Sequence, residues 1–387
     1  MRTLLWAALA AAILIGAVLY FNLWGIASQI IPLIELSKRV EVSEPSAFTV
    51  PEGFRVEVYA SGVPGARVLI RDPKGALLVS QTSEGQIVAL PDKKVILDGL
   101  SEPHGLALIG DILYVAEEGA VKSYAYNADT KSATYLETIA VLPTDGGHST
   151  RTLIPSHDNT SLLVSVGSSC NVCNEADTRR ATIMEIDLKS KEASVYARGL
   201  RNTVFMAYEL VTGELWGTDM GRDLLGDDTP PDEINILKKG GNYGWPTCYG
   251  KNVHDTEFDQ NTYIRAPCSE PFEQPSVYDI PAHSAPLGIA FAPEEGWPEE
   301  YWLDALVAYH GSWNRSLPSG YKVVRVVVDE RGMPTGEEQD FMTGFITDDG
   351  DVIGRPVGLL AEPGGVLYIS DDRAGAVYRV SLIHEAR

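Results

Sequence analysis

The chain has 387 residues, 44% of them hydrophobic, and a formal charge of −22. That length suits two average domains or one large repeat fold. The acidic balance, with no basic stripe, argues against a nucleic-acid partner, and 36 Gly with 23 Pro favour a turn-rich β fold over a helical bundle.

The run from Leu4 to Trp24 carries no charge and is long enough to cross a bilayer as a helix. Residues 1–27 therefore read as a membrane anchor or signal segment. Trp6, Tyr20 and Trp24 suit the interfaces of an uncleaved anchor, while Gly25-Ile26-Ala27 offers a cleavage site. In either case the body is expected to be exported, to the periplasm or another extracytoplasmic space, and held at the inner membrane by residues 4–24. Residues 28–47 read as a linker and 48–384 as the body.

From Arg67 onward one pattern recurs: a short apolar strand, a turn, then a second strand ending in polar residues. It appears as RVLIRDPKGALLVSQTSEGQIVAL, as HGLALIGDILYVAEEGAVKSY from His104, and as RTLIPSHDNTSLLVSVGSS from Arg151. It returns as GLRNTVFMAYELVTGELWGTDMG from Gly199, as LGIAFAPEEGWPEEYWLDALVAYHGSW from Leu287, and as RPVGLLAEPGGVLYISDDRAGAVYRV from Arg355. Repeats of this kind predict an all-β, six-bladed β-propeller, each blade burying its faces against its neighbours. A long excursion between Asp219 and Leu287, rich in Gly, Pro and aromatics, predicts an ordered loop over one face.

In such a fold the starts of the first strands converge near one axial opening. These starts bring Arg67, His104, Arg151, Arg201-Asn202 and Arg355 to one region of an acidic protein. Like charges held close repel unless a ligand offsets them, so several carboxylates or phosphates are expected there, matched by guanidinium forks. The second strands end at Gln81, Glu117, Ser168, Asp219, His310 and Asp371-Asp372, which read as acceptors for hydroxyls or a cation such as Ca²⁺. His148, in PTDGGHSTRTL, is the candidate general base, because Gly146-Gly147 admits close approach and neighbouring cations favour neutral imidazole. Four cysteines fit two structural disulfides, Cys170–Cys173 and Cys248–Cys268. The motifs GxSxG, HExxH, GxGxxG and the Walker loop are absent.

GGHSTRTL, GLRNTVFMAYE, TDMGRD…DEINIL…GGNYGWP, AYHGSWNR and GRPVGLL…LYISDDRAGAVYRV together resemble the glucose/sorbosone dehydrogenase family of soluble pyrroloquinoline quinone (PQQ)-dependent sugar dehydrogenases. The resemblance runs from about Phe48 to Val380 and is nearest to the sorbosone-dehydrogenase-like branch, which also carries CNVC. It implies PQQ over the channel and calcium bridging protein and cofactor. His148 matches the family's catalytic histidine, Arg201-Asn202 its cofactor-contacting pair and Arg355 a late cofactor arginine. Gly221 and Arg222 fall where calcium-binding carbonyls lie, and Glu233 resembles a ligand of a second, structural calcium. The chain departs where glucose oxidisers have Gln-Gly-Pro, carrying Met220-Gly221-Arg222 instead. The family's cofactor lysine has Arg315 as its nearest counterpart.

The implied reaction is oxidation of an aldose or sugar aldehyde to a lactone or acid, with a membrane quinone or periplasmic cytochrome taking the electrons. A calcium-dependent lactonase and a non-catalytic glycan- or protein-binding propeller are the competing readings.

Overall fold

The computed structural model describes residues 44–264, 267–269 and 273–383. Within them, six four-stranded antiparallel sheets follow one another, and the first strand of each sheet touches the first strands of its two neighbours. These contacts close into a ring, so the fold is the expected six-bladed propeller with the first strands innermost. They begin at Ala66, Gly105, Leu153, Thr203, Pro286 and Pro356, each within two residues of the starts read from the sequence.

The second strands explain why the repeats stood out. Leu77–Gln81, Ser161–Val166 and Ala305–Tyr309 are buried from end to end. Neighbouring blades cover both faces, so the strands are continuous apolar runs without polar alternation. Trp216 of blade four fills one seam, edge-on to Phe291 of blade five at 5.3 Å. Near the axis, a side chain at Gly288 would collide with the Val357 carbonyl, and one at Gly358 with the Arg67 carbonyl. Glycine at both places lets adjacent innermost strands approach.

The sixth copy of the pattern supplies only three strands. The fourth comes from the other end of the chain: Phe54–Ser61 pairs antiparallel with Ala376–Leu382, from Phe54↔Leu382 to Ser61↔Ala376. This strand closes the ring and was not foreseen from the repeats. Phe54 anchors it by packing against Trp297, Tyr301 and Phe341 of blade five at ring separations of 5.9, 5.4 and 5.4 Å. Such aromatic pairs add about 0.5–1.5 kcal/mol each beyond area burial.

Blade four holds the excursion, between Asp232–Ile236 and Tyr278–Ile280. It contains a small hairpin, Cys248–Tyr249 with Val253–His254. Both expected disulfides are present, Cys170–Cys173 and Cys248–Cys268. The proposed span at residues 4–24 lies outside the described residues; among those, no helix is long and apolar enough to cross a membrane.

Candidate active site

The ends of the second strands fold the strand entrances. Asp219 accepts the amides of Arg201 and Asn202 at 3.0 and 2.8 Å and the Thr203 hydroxyl at 2.9 Å. Asp371 does the same work two blades on, accepting the amides of Arg355, Arg373 and Ala374 at 3.0, 3.0 and 2.8 Å. Glu117 accepts the Ser101 amide at 2.7 Å. Burial pushes the Asp219 carboxyl up to about 6 and that of Asp371 up to about 7. The sequence reading placed these groups toward a ligand; the structure commits them to the backbone.

His148 sits on the loop before blade three. Its Nδ1 lies 2.8 Å from the Ser168 carbonyl oxygen and 3.0 Å from Ser168 Oγ. A carbonyl can only accept, so Nδ1 carries the proton and Nε2 keeps its lone pair. Burial first, then the Arg201 charge with Arg180 and Arg151 behind it, lowers the imidazole to about 4; the Ser168 carbonyl works the other way. The ring is therefore neutral at physiological pH with its basic nitrogen unspent.

Gly167 joins this loop to blade four. A side-chain carbon there would stand 2.5 Å from Asn202 Oδ1 and 2.7 Å from His148 Cβ. Only glycine lets the stem of His148 and the Asn202 amide crowd the same point. Asn202 Oδ1 is buried and has no hydrogen-bond partner, which leaves an acceptor waiting for a donor.

Arg201 is buried beside them. Its Nε and one terminal nitrogen donate to the carbonyl oxygen and Oδ1 of Asn171, both at 2.9 Å, and that terminal nitrogen also donates to Asp223 at 2.9 Å. Asp223 in turn accepts from Asn314 Nδ2 at 2.9 Å, tying blade four to the loop that carries Trp313, whose side chain is 67% exposed.

The remaining expected site residues are placed differently. Arg151 is fully buried, donating to the carbonyls of Glu118, His148, Thr150 and Pro143 at 2.8–3.1 Å. It therefore props the His148 loop from below, where the sequence reading had it facing the ligand. Arg180, which that reading passed over, props the same loop through the carbonyls of His148, Gly167 and Asp145. Arg355 donates to the His310 and Gly311 carbonyls and lies over the Tyr321 ring at 5.5 Å, half-buried at the rim. Arg315 holds Asp228 at 2.6 Å, pinning the Trp313 loop to the 223–228 turn.

The proposed calcium positions are partly engaged. The Gly221 amide donates to the buried Asp232 at 2.9 Å, which orients the main chain there. The Arg222 side chain reaches away to Asp255 and Glu257 at 2.9 and 3.3 Å. Glu233 accepts from Asn235 Nδ2 at 2.9 Å and from the Gly250 amide at 2.5 Å. Burial, then the nearby Asp219, pushes its carboxyl up to about 8. Closer to the axis, Asp372 bridges Arg67 at 2.6 Å and His310 at 3.0 Å. Burial lowers His310 to about 4, with the Arg355 charge adding to it. His104 is wholly buried, packed edge-on to Phe205 at 5.4 Å, and belongs to the core.

This arrangement, a neutral base beside an unpartnered amide oxygen and a clamped guanidinium at the mouth of a six-bladed ring, can take a proton and hold an anion. The TrAA12-like family pattern matches residues 48–382. The chain belongs to the TrAA12-like family. A protein of Borreliella burgdorferi is 31% identical over 87% of this chain and 91% of its own length. A pyrroloquinoline quinone-dependent sugar dehydrogenase of Hypocrea jecorina is 24% identical over 84% of this chain and 87% of its own. Among solved structures, a Trichoderma reesei carbohydrate-active enzyme of family AA12 superposes with a TM-score of 0.75 at 24% identity, covering 90% of this chain and all of that one. The PQQ domain of Coprinopsis cinerea pyranose dehydrogenase, in its holo form, gives 0.70 at 24% identity, covering 86% and 97%. The expected kinship with PQQ-dependent sugar dehydrogenases, and with it the assignment as an oxidoreductase, holds at the level of the TrAA12-like family.

Proposed function

We propose that this TrAA12-like protein oxidises an aldose or sugar aldehyde with PQQ as cofactor, giving a lactone or sugar acid. The observation that carries this reading is the convergence at Gly167 of the His148 side chain, whose ring is neutral, and the unpartnered Asn202 Oδ1, with Arg201 close enough to depress the imidazole. The relatives' sugar and PQQ chemistry supports it. Arg201 and the rim arginine Arg355 would hold PQQ, whose three carboxylates suit charge-assisted donors, while Asn202 Oδ1 would accept from a donor group brought in by the ligand. When bound, PQQ supplies the two-electron acceptor for the hydride.

The chain's own residues do the rest. His148 Nε2 takes the proton from the sugar hydroxyl, with Ser168 fixing the tautomer and ring direction. Arg201 holds positive charge beside the developing oxyanion. Exposed Trp313, on the loop latched to Asp223, offers an apolar face to a sugar ring. Calcium, if bound as the resemblance implies, would be held through the main-chain carbonyls at Gly221 and Arg222, with Glu233 serving a second, structural calcium.

The test is reconstitution of the exported body with PQQ and Ca²⁺, followed by a dye-linked screen of aldoses and sugar aldehydes. PQQ binding with oxidation of at least one sugar is expected; no binding and no oxidation would sink the reading and leave the lactonase or binding propeller.

The pH profile is a second expectation. The acidic limb of kcat/KM reports the free-enzyme base, so it should fall with a midpoint near 4, well below the ordinary histidine value of 6.5. A limb centred near 6.5 would show that His148 is not the base, or not buried among these cations.

The N-terminal run supports an anchor, and through it delivery of electrons to a membrane quinone or a periplasmic cytochrome. Full-length protein should sediment with membranes and resist high-salt extraction; recovery of a soluble chain starting near Ser28 would instead show cleavage.

A further inference from the structure

We propose that Asn171 is a positioning residue of this site, and that the Cys170–Cys173 disulfide brackets it so that one short segment fixes both the base and the cation. The inference rests on the PQQ reading for its ligand but not for its geometry. By itself a C-x-x-C disulfide is a staple. Here the residues inside and beside it reach the site from both ends of the loop.

Ser168, at one end, takes the His148 Nδ1 proton on its carbonyl and donates its hydroxyl to the Cys170 carbonyl at 2.7 Å. Ser169 follows, tied to Glu175 through its amide and hydroxyl, both at 2.7 Å. Asn171 then uses nearly every polar atom it has. Its carbonyl oxygen and Oδ1 take two donors from Arg201. Oδ1 also takes the Asp223 amide at 2.7 Å, and Nδ2 donates to the Asp223 carbonyl at 3.0 Å. Asp223 closes the triangle by accepting from Arg201.

A guanidinium has a planar fork and a flexible stem. Fixing its plane takes acceptors set in two directions, and Asn171 supplies one through its backbone and one through its side chain. Cysteines on both sides of Asn171 leave the backbone little freedom to drift from that geometry. The Asn171 amide bonds Arg201 and Asp223 and so acts on the site through Arg201.

The test compares Asn171→Ala and Asn171→Asp with wild type in the apo protein. PQQ affinity is followed by fluorescence quenching, and the His148 titration by NMR. Removing a group that orients a ligating side chain costs about 10–100-fold, so Asn171→Ala should weaken PQQ binding by that factor. Its His148 should titrate above the wild-type value, because the Arg201 charge no longer sits where it opposes protonation. Arg180 and Arg151, the other charges bearing on that ring, stay on their backbone carbonyls. Asn171→Asp keeps the acceptor toward Arg201 but loses the donor to the Asp223 carbonyl and adds a negative charge that offsets the guanidinium, so it should also raise the His148 titration and weaken PQQ binding. A folded Asn171→Ala with unchanged PQQ affinity and unchanged His148 titration overturns the proposal. If the wild type binds no PQQ, the quinone reading fails, and the His148 titration alone still decides the role of Asn171.

Discussion

His148→Ala should leave PQQ affinity largely unchanged and lower turnover by roughly two to four orders of magnitude, the usual contribution of a positioned general base. The separation follows from the geometry. The imidazole is aimed by Ser168, and its Nε2 is the atom left over. Its loss removes a proton acceptor and leaves the arginine donors in place. Stopped-flow turnover with PQQ and Ca²⁺ saturating, set beside a binding titration, measures both quantities. Wild-type turnover in this variant would place the base elsewhere.

Arg201→Ala should fail in the opposite pattern, losing PQQ affinity as well as turnover. The substitution strips Asp223 of its ion pair and Asn171 of two donors. A lost charge-assisted contact to the cofactor costs about 1.5–3 kcal/mol, roughly ten- to a hundredfold in affinity by the usual tenfold per 1.4 kcal/mol. The pH profile provides a second signature. Arg201 is the largest charged influence holding the His148 imidazole down at about 4. Without it the folded-state value rises, so the acidic limb of kcat/KM should move up toward 6.5. Loss of affinity with an unmoved limb would mean that Arg201 and His148 are not neighbours in the working enzyme.

The strand mouths were legible in the sequence because each second strand is buried on both faces and announces itself as an apolar run ending abruptly in polar residues. His148, Arg201-Asn202 and Arg355 were found through that register, and all lie at or beside first-strand entrances. Direction was not legible. Arg151 shares the position of Arg201 in its own blade, yet its stem turns inward and spends its donors on carbonyls. Nothing in the residue order distinguishes the two. Asp219 and Asp371 deceived for the same reason, since a carboxylate at a strand end suits a ligand or a turn equally well. Asn171 and Arg180 stand outside the repeat and carry no periodic signal. The closing strand at Phe54–Ser61 also lies outside the repeats and pairs across the whole body with Ala376–Leu382.

That closing strand is made first and used last. On a ribosome, Phe54–Ser61 emerges before any blade exists, yet its only partner in the sheet is Ala376–Leu382. At about 5–20 residues per second the wait is on the order of tens of seconds. Through that interval the nascent chain carries an unpaired strand at one end and a growing open arc at the other, both able to pair with a second chain. The arc becomes a ring only when Ala376–Leu382 is free to pair. Production of this protein is therefore expected to depend on what shields its first strand during synthesis, and loss of the Ala376–Leu382 strand should leave the ring open.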